Sequence, residues 1–297
     1  MHMSRNPWLI LLFIGVGCFA QETDLARIEY SHIPQSKSGN SVSRYRAFIN
    51  APFRIKDDTD YLILRLEYRY SDLNFKDPVP FDVENLGNFQ LFRGSLAYTF
   101  KRNTPWRFAA KIGMEVNSNF ERRTILGDDV NIAGAAFMIK DVSGDSIAKP
   151  TRLIIGLNYS TNQGRPYPLP VINYYKKFHP NWSYSVGTPK TNLKYFIDKK
   201  NTVQSFITLD GFFSNIQNNL VVDNQDPSSP VANNISMTLV LGGLGYEYNF
   251  TKNLLFYAYG GHTMYNEIRL RDRKRKSLYK INKENTFYFR SGIKFKI

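Results

Sequence analysis

The chain has 297 residues, a formal net charge of +14, 15% aromatic residues and a mean hydropathy of −0.37. Beyond residue 20, no apolar run approaches the roughly 20 residues that a spanning helix needs, which excludes a helical membrane protein. The single cysteine, Cys18, precedes the predicted mature chain, which excludes disulfide and thiol chemistry. Low hydropathy with many aromatic residues is typical of a transmembrane β-barrel, in which only alternate residues meet lipid.

The first 20 residues have the layout of a secretory signal peptide. An apolar run from Trp8 to Gly17 follows Arg5, and small residues precede the bond between Ala20 and Gln21. We expect cleavage at this bond. The remaining residues, 21–297, are then predicted to form one barrel domain.

A two-residue alternation recurs along the rest of the chain. Its clearest example places leucines and tyrosines at 62, 64, 66, 68 and 70 between Arg65, Glu67 and Arg69. Successive side chains of a strand point to opposite faces, so one face is apolar and the other is charged. A charged face cannot pack in the core of a soluble sandwich, whereas a membrane barrel places it in a polar lumen. The alternation therefore predicts a barrel in the outer membrane.

We predict an all-β fold with 14 strands in one up-and-down antiparallel barrel. The predicted strands are 25–33, 44–50, 62–70, 89–100, 106–116, 132–140, 152–159, 171–177, 182–186, 193–197, 203–213, 235–250, 254–265 and 286–297. Strand 182–186 is shorter than the 9–11 residues of a tilted span, and strand 193–197 follows Pro189, which removes a ladder donor. A barrel of 12 strands without this pair is the alternative. Long and short connections alternate, as outside loops and periplasmic turns do in bacterial barrels.

The last predicted strand ends in a pattern found at the end of outer-membrane barrels. Arg290, Gly292, Phe295 and Ile297 resemble the terminal signal that the barrel-assembly machinery recognises: a polar residue, a glycine and two alternate apolar residues. Many such barrels end in phenylalanine, so Ile297 is a mild departure. The resemblance implies that the assembly machinery is a partner.

Four stretches carry a resemblance to a protein family. They are Arg44 to Pro52, Gly187 to Pro189, Tyr195, and Asp210 to Ile216. In these stretches the chain resembles a family of uncharacterised Gram-negative outer-membrane proteins. The resemblance implies a location and a fold, and it implies no activity or catalytic residue. The Asp210-Gly211 step within it also indicates a bend, since glycine inside a strand often accompanies a bulge.

The polar faces of the predicted strands are rich in basic residues. The residues predicted to line the lumen are Arg44, Arg46, Arg65, Glu67, Arg69, Arg107, Lys111, Glu115, Arg152, Arg290 and Lys294. Rings of arginine and lysine favour anions in pores, so one hypothesis is a passive channel for small, polar, anionic solutes. Barrels of this size can also be filled. The alternative is a closed structural or surface-binding barrel whose arginines pair with carboxylates.

A second group of cations, here called the basic cluster, precedes the last strand. It comprises Arg269, Arg271, Arg273, Lys274, Arg275 and Lys276. In a cytosolic protein it would suggest nucleic acid, a partner that an exported barrel is not expected to meet. On an outside loop it would attract lipopolysaccharide phosphates by simple charge. A solvated loop is the alternative interpretation.

Catalytic motifs are weak in this sequence. His262 lies on a long predicted strand, but no serine and acid partner can be matched to it by pattern. No zinc-ligand spacing and no phosphate-binding glycine loop occurs. We therefore predict a non-enzyme without cofactor or metal, with a barrel hydrolase that uses His262 as a distant alternative.

Overall fold

The computed structural model describes residues 24–56, 59–103, 105–144, 147–161, 167–223, 226 and 228–296. The predictions about the signal peptide, about cleavage between Ala20 and Gln21 and about Ile297 lie outside these residues. In the described ranges, no helix is long and apolar enough to cross a membrane.

The described residues form fifteen strands in one sheet. The strands are β1 (Asp24–Pro34), β2 (Ser41–Lys56), β3 (Asp60–Asn74), β4 (Asn88–Asn103), β5 (Trp106–Ser118), β6 (Val130–Val142), β7 (Thr151–Ser160), β8 (Leu169–His179), β9 (Trp182–Gly187), β10 (Lys190–Phe196), β11 (Asn201–Val221), β12 (Val231–Asn249), β13 (Leu254–Arg271), β14 (Ser277–Asn282) and β15 (Phe287–Lys296).

The sheet closes on itself as an antiparallel barrel. Strands that are neighbours in sequence pair with each other, and β15 completes the ring by pairing with both β1 and β13. β14 pairs with the end of β13 and extends a loop hairpin, so the barrel wall has 14 strands. The prediction of 14 strands is confirmed. The alternative of 12 is wrong because β9 and β10 both form and pair with each other.

The alternation of side chains gives the barrel an apolar outer face. Ile28, Ile112, Leu244 and Phe287 are each about 70% exposed, and large exposed apolar residues recur around the wall. Soluble monomers rarely expose contiguous apolar patches larger than a few hundred Å². A continuous apolar band is the face that a membrane barrel presents to lipid.

The two ends of the barrel differ. Asp24 and Lys296 pair with each other at one end, which also carries short connections such as 180–181 and 197–200. This end is called the turn end. The other, called the loop end, carries the long connections 75–87, 119–129, 161–168, 222–230 and 272–286. The predicted long connections all lie at the loop end, but the alternation is not strict: the loop-end connection 188–189 has two residues and the turn-end connection 143–150 has eight.

β11 separates from β10 half-way along its length, while its pairing with β12 continues to Val221. It pairs with β10 only as far as Thr208. Gly211 then has φ of +148°, and a Cβ there would lie 2.1 Å from the Met237 carbonyl oxygen, so only glycine fits. Further along, Asn215 pairs with Ser118 of β5 on the opposite wall. β11 therefore divides the loop half of the barrel into two compartments.

A hydrophobic core fills the compartment bounded by β1–β4, β11–β13 and β15. The loop 75–87 folds into it and contributes the buried side chains of Phe81 and Leu86. Ile235 and Leu239 on β12 and Leu270 on β13 belong to the same core and have no exposed surface. This compartment is packed like the interior of a soluble protein.

Candidate functional site: a charged wall and a lysine-lined cavity

The interior face of β2–β4 carries a network of arginines around one carboxylate. The Glu67 side chain is fully buried and lies 2.9 Å from Arg46, 2.9 Å from Arg65, 2.7 Å from Arg69 and 3.7 Å from Arg93. The strand register explains this convergence, because it places Arg46 opposite Arg69 and Glu67 opposite Arg93. Like charges opposite each other repel, so the buried carboxylate is the group that holds them together.

A second carboxylate ties β11 to the wall. Arg44 on β2 donates two hydrogen bonds to Asp210, at 3.0 Å to Oδ1 and 2.5 Å to Oδ2, and Arg290 on β15 also donates to Asp210. Such two-pronged pairs fix geometry as well as charge. Asp210 directly precedes Gly211, so the clamp lies where β11 turns inward.

Neutral side chains fasten the far part of β11 to β5 and the following loop. The Ser214 hydroxyl donates to the Asn117 amide oxygen at 2.7 Å. The amides of Asn215 and Gln217 each donate to the Asp129 carboxylate at 2.7 Å. These side chains are buried. A buried polar network with its members paired is rigid, so β11 is held firmly across the interior.

The other side of the interior contains a cavity of about 1290 Å³ between β6–β12 and the turn-end connections. It reaches the exposed connection 198–200 at the turn end and the exposed residues Thr188 and Pro189 at the far end of β9 and β10. It therefore runs the full height of the two shortest strands.

The described residues that line the cavity include seven lysines and two carboxylates. They are Lys177, Lys190, Lys194, Lys199, Lys200, Lys252, Lys296, Asp198 and Glu247. Amide and hydroxyl side chains lie between the lysines, and the Ser185 hydroxyl donates to Asn173 at 2.8 Å. The cavity thus offers positive charge together with neutral hydrogen-bonding groups.

The lysines of the cavity differ in their surroundings. Lys194 lies 2.8 Å from Glu247. Lys190 donates to the Gln204 amide oxygen at 2.8 Å, and its ammonium lies about 5 Å from the rings of Phe206 and Tyr259. Lysines at the turn end, in the connections 197–200 and 250–253, are exposed. Lys190 and Lys194 are therefore held by neighbouring side chains, whereas the lysines at the turn-end mouth are exposed.

The eleven residues predicted to line the lumen lie elsewhere. Six belong to the Glu67 and Asp210 networks: Arg44, Arg46, Arg65, Glu67, Arg69 and Arg290. Of the other five, Glu115 pairs with Arg93 and Arg152 pairs with Asp141. Arg107 donates to the Thr59 carbonyl, and the Lys294 ammonium lies over the Tyr257 ring. Lys111 is half-buried beside the Glu67 network. All eleven are described, and none of them lines the cavity. Their role in a solute path stays a prediction.

Sequence reasoning missed the lysines that do line the cavity. Lys177 and Lys194 lie on the inward parity of β8 and β10, and β10, with seven residues, is one of the two shortest wall strands. Extending the same parity argument through 171–196 would have found them.

The basic cluster lies at the end of β13 and in the β13–β14 turn. Arg275 donates to the Thr161 carbonyl at 2.5 Å, and its guanidinium lies 5.4 Å from the Phe213 ring on β11. Arg273 pairs with Asp128 at 2.9 Å on the surface. Arg275 therefore holds the β13–β14 turn next to the part of β11 that crosses the interior. Contact with lipopolysaccharide stays a prediction.

The predicted assembly signal lies on β15 up to its last described residue. A Cβ at Gly292 would lie 2.6 Å from the Tyr257 hydroxyl oxygen, so this glycine makes room for that ring. Arg290 points inward to Asp210, and Phe295 is exposed on the outer face. Recognition by the assembly machinery stays a prediction.

His262 lies on the outer face of β13. Its Nδ1 lies 2.7 Å from the Thr263 carbonyl oxygen, and its ring meets the Phe287 ring edge-on at 5.1 Å. Neither contact is with a serine hydroxyl or a carboxylate. A nucleophile and an orienting acid are what a hydrolytic histidine needs within hydrogen-bond reach.

A family model matches residues 16–296 of the chain, and its description is a domain of unknown function, DUF6268. The chain belongs to this family. The predicted resemblance to an uncharacterised barrel family is confirmed. No curated protein matches the chain.

Solved structures similar to this chain are also barrels. The NanC porin is 10% identical, with 92% of this chain and 100% of that chain covered and a TM-score of 0.39. LpxR from Salmonella typhimurium is 7% identical, with 92% and 100% covered and a TM-score of 0.40. The Pseudomonas putida toluene transporter TodX is 8% identical, with 92% and 89% covered and a TM-score of 0.32. With TM-scores this low, these likenesses carry no argument about function.

Proposed function

We propose that the protein is an outer-membrane channel through which small anionic solutes pass by way of the lysine-lined cavity. The observation that carries this proposal is the lining, in which seven lysines face two carboxylates, a formal balance of +5 among the described residues. Rings of basic residues favour anions in pores. The apolar outer face supports a location in the membrane, with the loop end outside.

The arginine networks and the cavity lysines differ in how readily their positive charge can bind a solute. An anion that displaced Glu67 or Asp210 from its arginines would leave a buried carboxylate unpaired, which costs several kcal/mol. The exposed lysines Lys199, Lys200 and Lys252 can follow a solute at little cost. We therefore assign the anion preference to the lysines and a structural role to the arginine networks.

A second candidate is a closed barrel that acts through its loops. The crossing of β11 and the hydrophobic core beside it favour this candidate, because they fill one compartment of the loop half. Such a barrel would bind lipopolysaccharide phosphates through the basic cluster and would conduct no ions.

Planar-bilayer recordings of the purified, folded protein separate the two candidates. The channel predicts conductance with an anion preference, measured as the reversal potential in a salt gradient. Replacing Lys199, Lys200 and Lys252 together by glutamine should lower this preference, because it removes three of the seven cavity lysines.

The matched control replaces Lys274, Lys276 and Lys283 by glutamine, which removes the same charge at the loop end. An equal loss of anion preference in the control would show that the cavity does not set selectivity. A folded sample without conductance would leave the closed barrel as the better account.

A further inference from the structure

In the part of the chain that the structure describes, the wall of the barrel is incomplete beside the cavity. β9 and β10 have six and seven residues, the fewest of the wall strands in the described chain. The last β8–β9 pair joins Asn173 to Gly187. The last β10–β11 pair joins Lys190 to Thr208. Above these pairs, β8 continues for four more residues, 169–172, and its described ladder partner there is β7.

β11 does not close the space above the β9–β10 hairpin. The Asn117 side chain donates to the Phe213 carbonyl, and the Ser118 hydroxyl donates to the Asn215 carbonyl at 3.3 Å. These bonds attach the edge of β11 to β5. Among the described residues, which leave out 162–166 of the β7–β8 connection, a gap therefore remains between β8 and β11, about 14 Å long along β8 at 3.4 Å per residue.

Two backbone hydrogen bonds lie along the lower rim of the gap. The Thr188 N–H donates to the Ile172 carbonyl at 2.9 Å, and the Leu209 N–H donates to the Pro189 carbonyl at 2.9 Å. Pro170, above the last β8–β9 pair, has no N–H to leave unpaired. In hydrocarbon an unpaired backbone group costs several kcal/mol. The two bonds and the missing N–H of Pro170 lower the cost of contact between the rim and lipid.

The height of the hairpin places the gap inside the membrane. Six residues extend about 20 Å along a strand, or about 15 Å of height at a tilt of about 40°. The apolar band of an outer-membrane barrel is about 25 Å tall. Since the base of β9–β10 adjoins the polar turn-end connections, the hairpin stops about 10 Å below the outer edge of this band.

The chemistry of the rim changes from apolar to basic between its outer and inner sides. Ile172, Val186 and Leu209 are each more than half exposed on the outer face. Val171 and Lys190 lie on the inner side and line the cavity. A molecule in the gap would meet apolar side chains outside and an ammonium group within.

We propose that the cavity opens sideways into the membrane through this gap and that the opening admits amphiphiles with an anionic head and an apolar body. This inference rests on the proposed function, because it concerns the same cavity. A small hydrophilic anion would gain nothing from the apolar rim. An amphiphile places its head near Lys190 while its body stays among Ile172, Val186 and Leu209.

The test measures lipid access to the gap by fluorescence quenching. The full chain, carrying Cys18→Ser and Thr188→Cys, is labelled with a fluorophore and placed in nanodiscs. Two probe lipids carry the same nitroxide on an acyl chain and differ only in their headgroup, which is phosphatidic acid or phosphatidylcholine. We expect both lipids to quench the label, with an effective concentration of phosphatidic acid at the gap about fivefold higher, the ratio for one ordinary hydrogen bond.

Two further variants make the result specific. A label at Lys199→Cys, at the turn end, should escape acyl-chain quenching. Adding Lys190→Gln to the Thr188→Cys protein should abolish the difference between the two lipids while quenching persists. Free dodecyl phosphate should relieve the quenching, whereas inorganic phosphate should not, because it lacks an apolar body.

Absence of lipid quenching at Thr188→Cys would overturn the side opening. Equal quenching by the two lipids would contradict the preference for an anionic head. Anion-selective conductance without lipid quenching would leave the proposed channel standing and remove only this inference. Quenching with a headgroup preference but no conductance would support the side opening and remove the channel.

Discussion

The two sides of the barrel interior carry the same sign of charge and use it differently. On β1–β5 and β15, arginines surround buried carboxylates and join strands to one another. On β8, β10 and the turn-end connections, lysines face a cavity. The planar guanidinium forms several directed bonds to carboxylates, whereas the ammonium is compact and sits on a flexible stem. The number of cations on an interior face therefore does not by itself predict a pore.

The largest expected effect in this comparison comes from Glu67→Gln. The variant leaves the guanidinium groups of Arg46, Arg65 and Arg69 close together without their carboxylate. Breaking a buried charge network by removing one partner costs about 3–5 kcal/mol. We expect a loss of this size in the free energy of unfolding, measured by urea titration of the reconstituted barrel.

Asp128→Asn is the matched control, because it removes a carboxylate from the exposed pair with Arg273. Exposed pairs contribute about 0–1 kcal/mol. Similar losses in the two variants would mean that the arginine side is as open to water as the surface.

Asp210→Asn comes next and tests whether the arginine side controls the shape of the cavity side. It weakens the clamp from Arg44 and Arg290 that holds β11 at its bend. We expect a loss of about 3 kcal/mol in the free energy of unfolding. We also expect a larger single-channel conductance, since a loosened β11 widens the interior. Unchanged conductance with lowered stability would show that the clamp and the cavity are independent.

How much of this structure can be predicted from the sequence depends on how far apart along the chain the interacting residues lie. Alternation is a local property, so the presence of all 14 wall strands could be predicted from it. The predicted strand 62–70, for example, lies inside the observed strand Asp60–Asn74. The convergence of four arginines on Glu67 depends on the pairing of three strands. No single segment of sequence contains that information.

The crossing of β11 was beyond sequence reasoning for the same reason. Asp210-Gly211 indicated a bend, but the direction of β11 after the bend depends on contacts with Asn117 and Ser118, nearly 100 residues away. The predicted strand accordingly ended at 213, whereas β11 continues to Val221. The division of the interior into an arginine side and a cavity side follows from this crossing.

A smaller effect is expected from Gly211→Ala, which tests the bend itself. The positive φ and the nearby Met237 carbonyl leave no room for a Cβ. A strained backbone conformation of this kind costs about 1–3 kcal/mol, so the urea midpoint should fall accordingly. Gly94→Ala is the control, because the nearest atom to its Cβ would be Leu66 Cδ2 at 3.9 Å. A comparable fall in both variants would argue against a special role for the bend.

The smallest effect concerns Asp198, in the exposed connection at the mouth of the cavity. Hydrogen bonds from the Asn201 side chain and from the N–H groups of Asn201 and Lys200, each 2.7 Å, hold the pKa of Asp198 below its usual range. A lowered pKa in the folded state means that the stabilisation is present above the unfolded pKa of about 3.9 and is lost as the pH falls below it.

Asp198→Asn should therefore lower the urea midpoint slightly at about pH 6, and this difference should disappear as the pH falls through the folded-state pKa and the carboxyl becomes protonated in both states. The loss should change little with salt, because short hydrogen bonds to Asn201 and Lys200 dominate it. The proposed anion preference of the cavity, in contrast, should weaken as salt screens the exposed lysines. A midpoint difference that persists at low pH would mean that the asparagine side chain, rather than the lost charge, disturbs the turn.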